Sequence, residues 1–200
     1  GGSSITFRTN PSPDIPNDIN QTVAQSIFDN ITQWVDEYPG LDGIFVDSLG
    51  GNWPALLNYR RDHWSYARYP LSFDPSGNVA QHNQLTHYSF LESLRELLGS
   101  DRYIWGNGLY EYNSRTNPPE RYNPGRVGRF FMSALVDISV SEPGVNPNQD
   151  RWEFVRTSMG RKFTLLLNYY WNDAKEVQDY INNALCYDVF ATNSRNAFNG

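Results

Sequence analysis

Short runs of β-branched and aromatic residues, each closed by a polar side chain, alternate along this chain with longer stretches of helical periodicity. This alternation constrains the fold more than any other feature, because strands joined by helical crossovers pair in parallel. Ile5–Thr9 predicts a first strand, ended by Asn10-Pro11-Ser12-Pro13, whose prolines stop ladder pairing. From Asp18 to Tyr38, apolar residues at Ile19, Val23, Ile27, Ile31, Trp34, Val35 and Tyr38 predict one apolar stripe on a helix stopped by Pro39-Gly40. Leu41-Asp42-Gly43-Ile44-Phe45-Val46-Asp47 then reads as a buried strand ending in a carboxylate, with Gly50 and Gly51 in the following turn. Helices are expected over Trp53–Tyr69 and Ala80–Leu98, the second with Leu91, Leu94 and Leu98 on one face and Gly99 as its stop. Further strands are expected at Tyr103–Gly108, within Ala134–Glu142, at Phe163–Asn168 and at Tyr187–Thr192. Helices near 126–132, near 150–159 and from an Asp173 cap to Leu185 separate them. The result is six strands with helical crossovers, without internal repeat or visible domain boundary.

Composition narrows the function classes. The net charge is −6 with Lys plus Arg at 16 and no basic block, so a nucleic-acid partner is not expected. No run of eighteen apolar residues is present, so no membrane span is expected. Gly1-Gly2-Ser3-Ser4 lacks the basic and apolar regions of a signal peptide, as an excised or processed piece of a longer chain would. Cys186 stands alone, which excludes an internal disulfide and a multi-cysteine metal site. His63, His82 and His87 have no metal-binding spacing and are expected on helix surfaces, so no metal and no cofactor is assigned. The sequons at Asn20 and Asn30 fall in a predicted helix and read as chance matches. Aromatic residues are abundant, 6 Trp, 13 Tyr and 11 Phe, and many fall in predicted loops such as 109–124. Exposed flat rings beside polar groups suit amphipathic ligands, and sugars are such ligands. The same composition fits a Tyr-rich secreted protein with extra core aromatics, and an extracytoplasmic setting is favoured.

The strand ends carry the chemistry. They are Asn10, Asp47, Asn107, Glu142, Asn168 with Tyr169-Tyr170-Trp171 behind it, and Thr192-Asn193. Turn preference explains asparagine and aspartate at such places but not Glu142. In a closed parallel barrel these ends converge on one mouth. Two carboxylates there suit glycoside hydrolysis, one protonating the leaving oxygen and the other attacking the anomeric carbon or activating water. Asn10, Asn107 and Asn168 would bind hydroxyls, since an amide both donates and accepts, and Trp53, Tyr110, Tyr169 and Trp171 would stack on sugar rings.

The segment Leu41–Asp47 resembles the fourth strand of (β/α)8-barrel glycoside hydrolases. The layout is most similar to the retaining α-galactosidase/α-glucosidase-like groups, whose nucleophilic Asp ends strand four and whose acid/base ends strand six. With the first predicted strand counted as the barrel's third, the resemblance implies Asp47 as nucleophile and Glu142 as acid/base. It departs from those groups in having Glu where they usually have Asp. Barrels with a Glu nucleophile on strand seven fit less well, because that strand here ends in Asn168. The expected fold is therefore α/β, a TIM-type (β/α)8 barrel incomplete in this chain at about six βα units, acting on an oligo- or polysaccharide. An open six-stranded α/β sheet is the alternative fold, and a non-catalytic carbohydrate-binding remnant the alternative function.

Strand alternation leaves one ambiguity. It groups Asp137, Ser139 and Ser141 on one face and Val136, Ile138 and Val140 on the other, with the polar set expected toward the barrel interior. Glu142 then has the wrong parity unless the strand ends or bulges before it, and Asp137 competes as acid/base. Asp74 is read as a turn former, Asp188 is given no chemistry, and Arg60–His63 is read as a solvated helix face or rim.

Overall fold

The computed structural model describes residues 10–16, 22–47, 49, 57–107, 109, 130–141, 149–160, 162–168 and 173–193. The predicted strand Ile5–Thr9 lies outside them. In chain order the first elements are α1 (Val23–Glu37), β1 (Gly43–Val46), β2 (Leu57–Asn58), a 3-10 turn (Arg61–Tyr66), β3 (Ser72–Phe73), β4 (Val79–His82) and α2 (Asn83–Leu98). There follow β5 (Tyr103–Asn107), a 3-10 turn (Phe130–Ala134), β6 (Ile138–Ser141), α3 (Gln149–Met159), β7 (Phe163–Asn168), α4 (Ala174–Cys186) and β8 (Phe190–Asn193). The chain divides into two compact units, residues 1–41 with 51–99 and residues 42–50 with 100–200.

In the first unit α1 packs against α2. Thr22 caps α1 by accepting the Gln25 N–H at 2.8 Å. The buried stripe of α1 runs through Ala24, Phe28 and Ile31, whereas Ile27, Trp34 and Tyr38 are exposed. At 3.6 residues per turn, this shifts the expected stripe by about a fifth of a turn. Phe28 stacks on Phe90 at 5.1 Å, beside the buried Leu91, Leu94 and Leu98 of α2. Gly99, at φ 67°, ends α2 in a conformation open chiefly to glycine.

Of the expected helix over Trp53–Tyr69, the described part keeps only the short 3-10 helix Arg61–Tyr66, preceded by strand at Leu57–Asn58. Ahead of it the Asn58 side-chain Oδ1 accepts the Arg60 N–H at 3.0 Å, a local bond that competes with helix propagation. Residues 57–58 pair antiparallel with β4, which also pairs with β3, giving a small sheet of order β2-β4-β3. Val79–His82 is accordingly strand where helix was expected, and α2 starts three residues later than Ala80. Asp74 does form a turn, accepting the N–H groups of Ser76 and Asn78 at 2.8 Å each.

The second unit is a five-stranded, wholly parallel sheet of order β1-β5-β6-β7-β8 flanked by helices. The sheet order never reverses relative to the chain. Such an order leaves no topological switch point. Among the described residues the sheet does not close, and β1 and β8 are its edges. Trp152 and Val155 of α3 and Tyr180 and Ala184 of α4 are buried. The last strand begins at Phe190 rather than Tyr187, because Tyr187 and Asp188 close α4, with Asp188 at φ 53°.

Register decides which side chains share a face. Phe45, Trp105, Ile138 and Phe163 align in one row across four strands. Val46, Gly106, Ser139 and Thr164 form the next row on the opposite face. Asn107, Val140, Leu165 and Phe190 then return to the face of Phe45.

Candidate functional site

Asp47 follows directly on the last paired residue of β1, and alternation returns it to the face of Phe45. Its Oδ1 accepts the Asn107 side-chain N–H at 2.6 Å. Asp47 is exposed while Asn107 is only 4% exposed, so a fixed, buried amide holds a carboxylate that faces outward. The turn beyond Asp47 is pinned as well, because the Leu49 N–H donates to the Asn107 carbonyl at 2.8 Å. Leu49 is buried, and room for it exists because position 106 is glycine. A Cβ there would lie 2.9 Å from both Leu49 Cδ1 and Val136 Cγ1. Two strand ends that the sequence marked separately, Asp47 and Asn107, thus meet through one hydrogen bond.

The start of β1 is equally constrained. A Cβ on Gly43 would sit 2.3 Å from the Tyr103 carbonyl oxygen, a backbone atom that cannot swing aside. Gly43→Ala is therefore expected to destabilise the β1–β5 edge by about 1–3 kcal/mol, read as a lowered urea midpoint. An unchanged midpoint would mean that the edge relaxes freely.

Asp137 is not placed to act with Asp47. Its Oδ2 accepts the Ile104 N–H at 2.8 Å, and its own N–H donates to the Ile104 carbonyl at 2.9 Å. That double tie joins the start of β6 to β5 three residues from Asn107, about 10 Å along the strand at roughly 3.3 Å per residue. Asp137 is a structural clamp at the other end of the sheet. The parity expectation is also corrected. Ser139 is wholly buried on the face opposite Asp47, and the even-numbered Ile138 and Val140 share the Asp47 face.

Trp53, Tyr110, Glu142, Tyr169 and Trp171 lie outside the described residues. Asn168 ends β7 as expected, in register with Asn193 of β8. Asn10 belongs to the first unit, where its side-chain oxygen accepts the Ser12 N–H at 3.0 Å and its amide nitrogen reaches His63 and Gln81.

The sequence reading missed the aromatic face beneath Asp47. Phe45 is 53% and Trp105 37% exposed, although strand interiors normally bury such rings. Farther along the same face Phe163 and Phe190 stack with centroids 4.0 Å apart. The signal was present as odd-numbered aromatics in Ile44–Asp47 and Tyr103–Asn107, in register with the two polar strand ends. Among the described residues, no group of three or more His, Cys, Asp or Glu side chains is arranged to hold a metal. No described helix is long and apolar enough to cross a membrane. No protein-family model matches the sequence, and a search of curated proteins finds no match.

Proposed function

We propose that the chain is a glycoside hydrolase acting by a retaining mechanism, with its parallel sheet forming the later strands of a (β/α)8 barrel. The observation that carries this reading is the exposed Asp47 carboxylate at a parallel strand's C-terminal end, oriented by the buried amide of the neighbouring strand end. Unidirectional strand order supports the barrel, since barrels wind without reversal whereas doubly wound sheets reverse. The apolar row on the Asp47 face fits a barrel interior that further strands would enclose.

In this reading Asp47 attacks the anomeric carbon as Glu142 protonates the departing oxygen. Glu142 then takes a proton from the water that releases the sugar from Asp47. Asn107 acts as a positioning residue, fixing the rotation of the carboxylate about its Cβ–Cγ bond. Asn168, Trp53, Tyr110, Tyr169 and Trp171 are the candidate sugar contacts. Asn10 is engaged by the first unit's own hydrogen bonds to Ser12, His63 and Gln81 and is not among these contacts.

The test is hydrolysis of a panel of activated aryl α- and β-glycosides, with the first-formed anomer followed by proton NMR. Hydrolysis with retained configuration is expected. Inverted product would replace Asp47's nucleophilic role by base catalysis. Binding of oligosaccharides without turnover would favour a carbohydrate-binding remnant, and the absence of both binding and turnover would overturn the proposal.

A further inference from the structure

Four side chains from distant parts of the first unit meet in a closed hydrogen-bonded square. Asn58 Nδ2 lies 3.0 Å from His63 Nδ1 and 3.4 Å from Gln81 Oε1. Asn10 Nδ2 lies 3.3 Å and 3.4 Å from the same two acceptors. Each amide nitrogen carries two hydrogens, so each can donate one to the glutamine oxygen while its other hydrogen shares the ring nitrogen's single lone pair, Asn58 being the nearer donor. The square closes only while His63 Nδ1 keeps its lone pair, which puts the ring's proton on Nε2. We propose that Asn10, Asn58, His63 and Gln81 form a latch that acid releases, because protonating His63 Nδ1 sets a third donor against two amide donors.

The latch joins four pieces of chain: the Asn10–Pro16 segment, β2, the Arg61–Tyr66 turn and β4. Gln81 is buried, and so are Ser12 and Ile15 of the segment that the latch holds. The charged groups acting on the ring come from its own turn. Asp62 Oδ2 lies 3.8 Å from His63 Nε2, and Arg60 is ion-paired with that same carboxylate. The segment and β2 meet the ring with the amides of Asn10 and Asn58, and β4 meets those amides with the oxygen of Gln81. The neighbouring His82 turns away, its Nδ1 accepting the Gln84 N–H at the start of α2. Burial, aided by Arg60 and opposed by Asp62, lowers the His63 pKa below its usual 6.5. The latch is therefore intact above pH 6.5. Its contribution to stability is lost as pH falls from 6.5 through the lowered folded value, since the released ring takes up the proton first.

The experiment is an NMR titration of the intact chain from pH 8 to 4. The His63 ring is expected as the neutral Nε2–H tautomer at pH 8. The side-chain NH2 resonances of Asn10 and Asn58 should shift with it, on one titration curve centred below 6.5. In His63→Gln, whose carbonyl accepts without titrating, those NH2 resonances should stay constant over the same range. His82→Gln should leave the wild-type response of Asn10 and Asn58 in place, separating this latch from the second half-buried imidazole. A His63 ring protonated at Nδ1 at pH 8, or amide resonances indifferent to its titration, would overturn the proposal without reference to glycoside hydrolysis. Should His63→Gln fail to fold, the wild-type titration alone decides the matter.

Discussion

Asp47→Asn is expected to leave the chain folded and to lower glycoside turnover by at least about a thousandfold, about 4 kcal/mol of transition-state stabilisation. Asparagine has the shape of aspartate, and its side-chain oxygen still accepts from Asn107, so the β1–β5 strand ends keep their junction. What is lost is the negative charge and the oxygen nucleophile, neither of which an amide supplies. The measurement is kcat/KM on the best aryl glycoside, beside a thermal melt to show that the fold is intact. Unchanged turnover would remove Asp47 from the mechanism. Asn107→Leu makes a graded comparison. It keeps the carboxylate but frees its rotation, and a misplacement near 1 Å lowers rate by about a hundredfold. A larger loss in Asn107→Leu than in Asp47→Asn would make the amide, not the carboxylate, the reacting group.

The placement of Asp47 was legible because it depends on local signals. A short apolar run, a terminal carboxylate and glycines describe a strand and its end without reference to the remaining chain. The same holds for Phe163–Asn168, for the Asp173 cap of α4, which accepts the Glu176 N–H at 2.8 Å, and for the Gly99 stop of α2. What was not legible depends on pairing between distant segments. Val79–His82 is a strand because Leu57–Asn58 and Ser72–Phe73 lie on either side of it, and its own residues carry no alternation to announce that. The aromatic periodicity of Trp53–Tyr69 suggested a helix, yet Asn58 pairs in β2 and accepts the Arg60 N–H on its side chain, leaving only a 3-10 helix from Arg61 to Tyr66. His63 read as a solvated residue for a related reason. The pairing of β2 with β4 sets its partner Asn58 beside Gln81, and Asn10 comes to both from a segment remote in sequence. The parity of β6 misled in another way. Polar Ser139 was expected on the functional face, but register with Gly106 and Thr164 puts it in the buried row, and the face of Asp47 carries Ile138 and Val140.

Trp152→Ala is expected to cost about 3–5 kcal/mol, the range for deleting a fully buried tryptophan side chain. For a chain of this size that lowers the melting temperature by roughly 6–20 °C. Trp152 is completely buried, with its ring stacked on Tyr187 at 6.0 Å and 9° and tilted against Tyr180 at 5.5 Å and 48°. Tyr180 in turn donates its hydroxyl to the Leu166 carbonyl of β7, which also accepts from Thr192 Oγ1 of β8 at 3.1 Å. One aromatic cluster thus ties α3, α4 and the last two strands together, and removing its largest member leaves a cavity among them. Tyr180→Phe separates packing from hydrogen bonding, because it keeps the ring and removes only the hydroxyl. Its expected cost is about 1 kcal/mol, since the Leu166 carbonyl keeps Thr192 as a donor. The cluster stands at the β7–β8 edge and the Asp47–Asn107 pair at the β1–β5 edge of the same sheet. Trp152→Ala assayed well below its melting temperature should therefore retain turnover within about threefold, in line with the near-additivity of distant sites. A melting temperature within 2 °C of wild type would show that the α3–α4 cluster is not the anchor of this edge. A collapse of turnover at an intact fold would show that the two edges act as one unit.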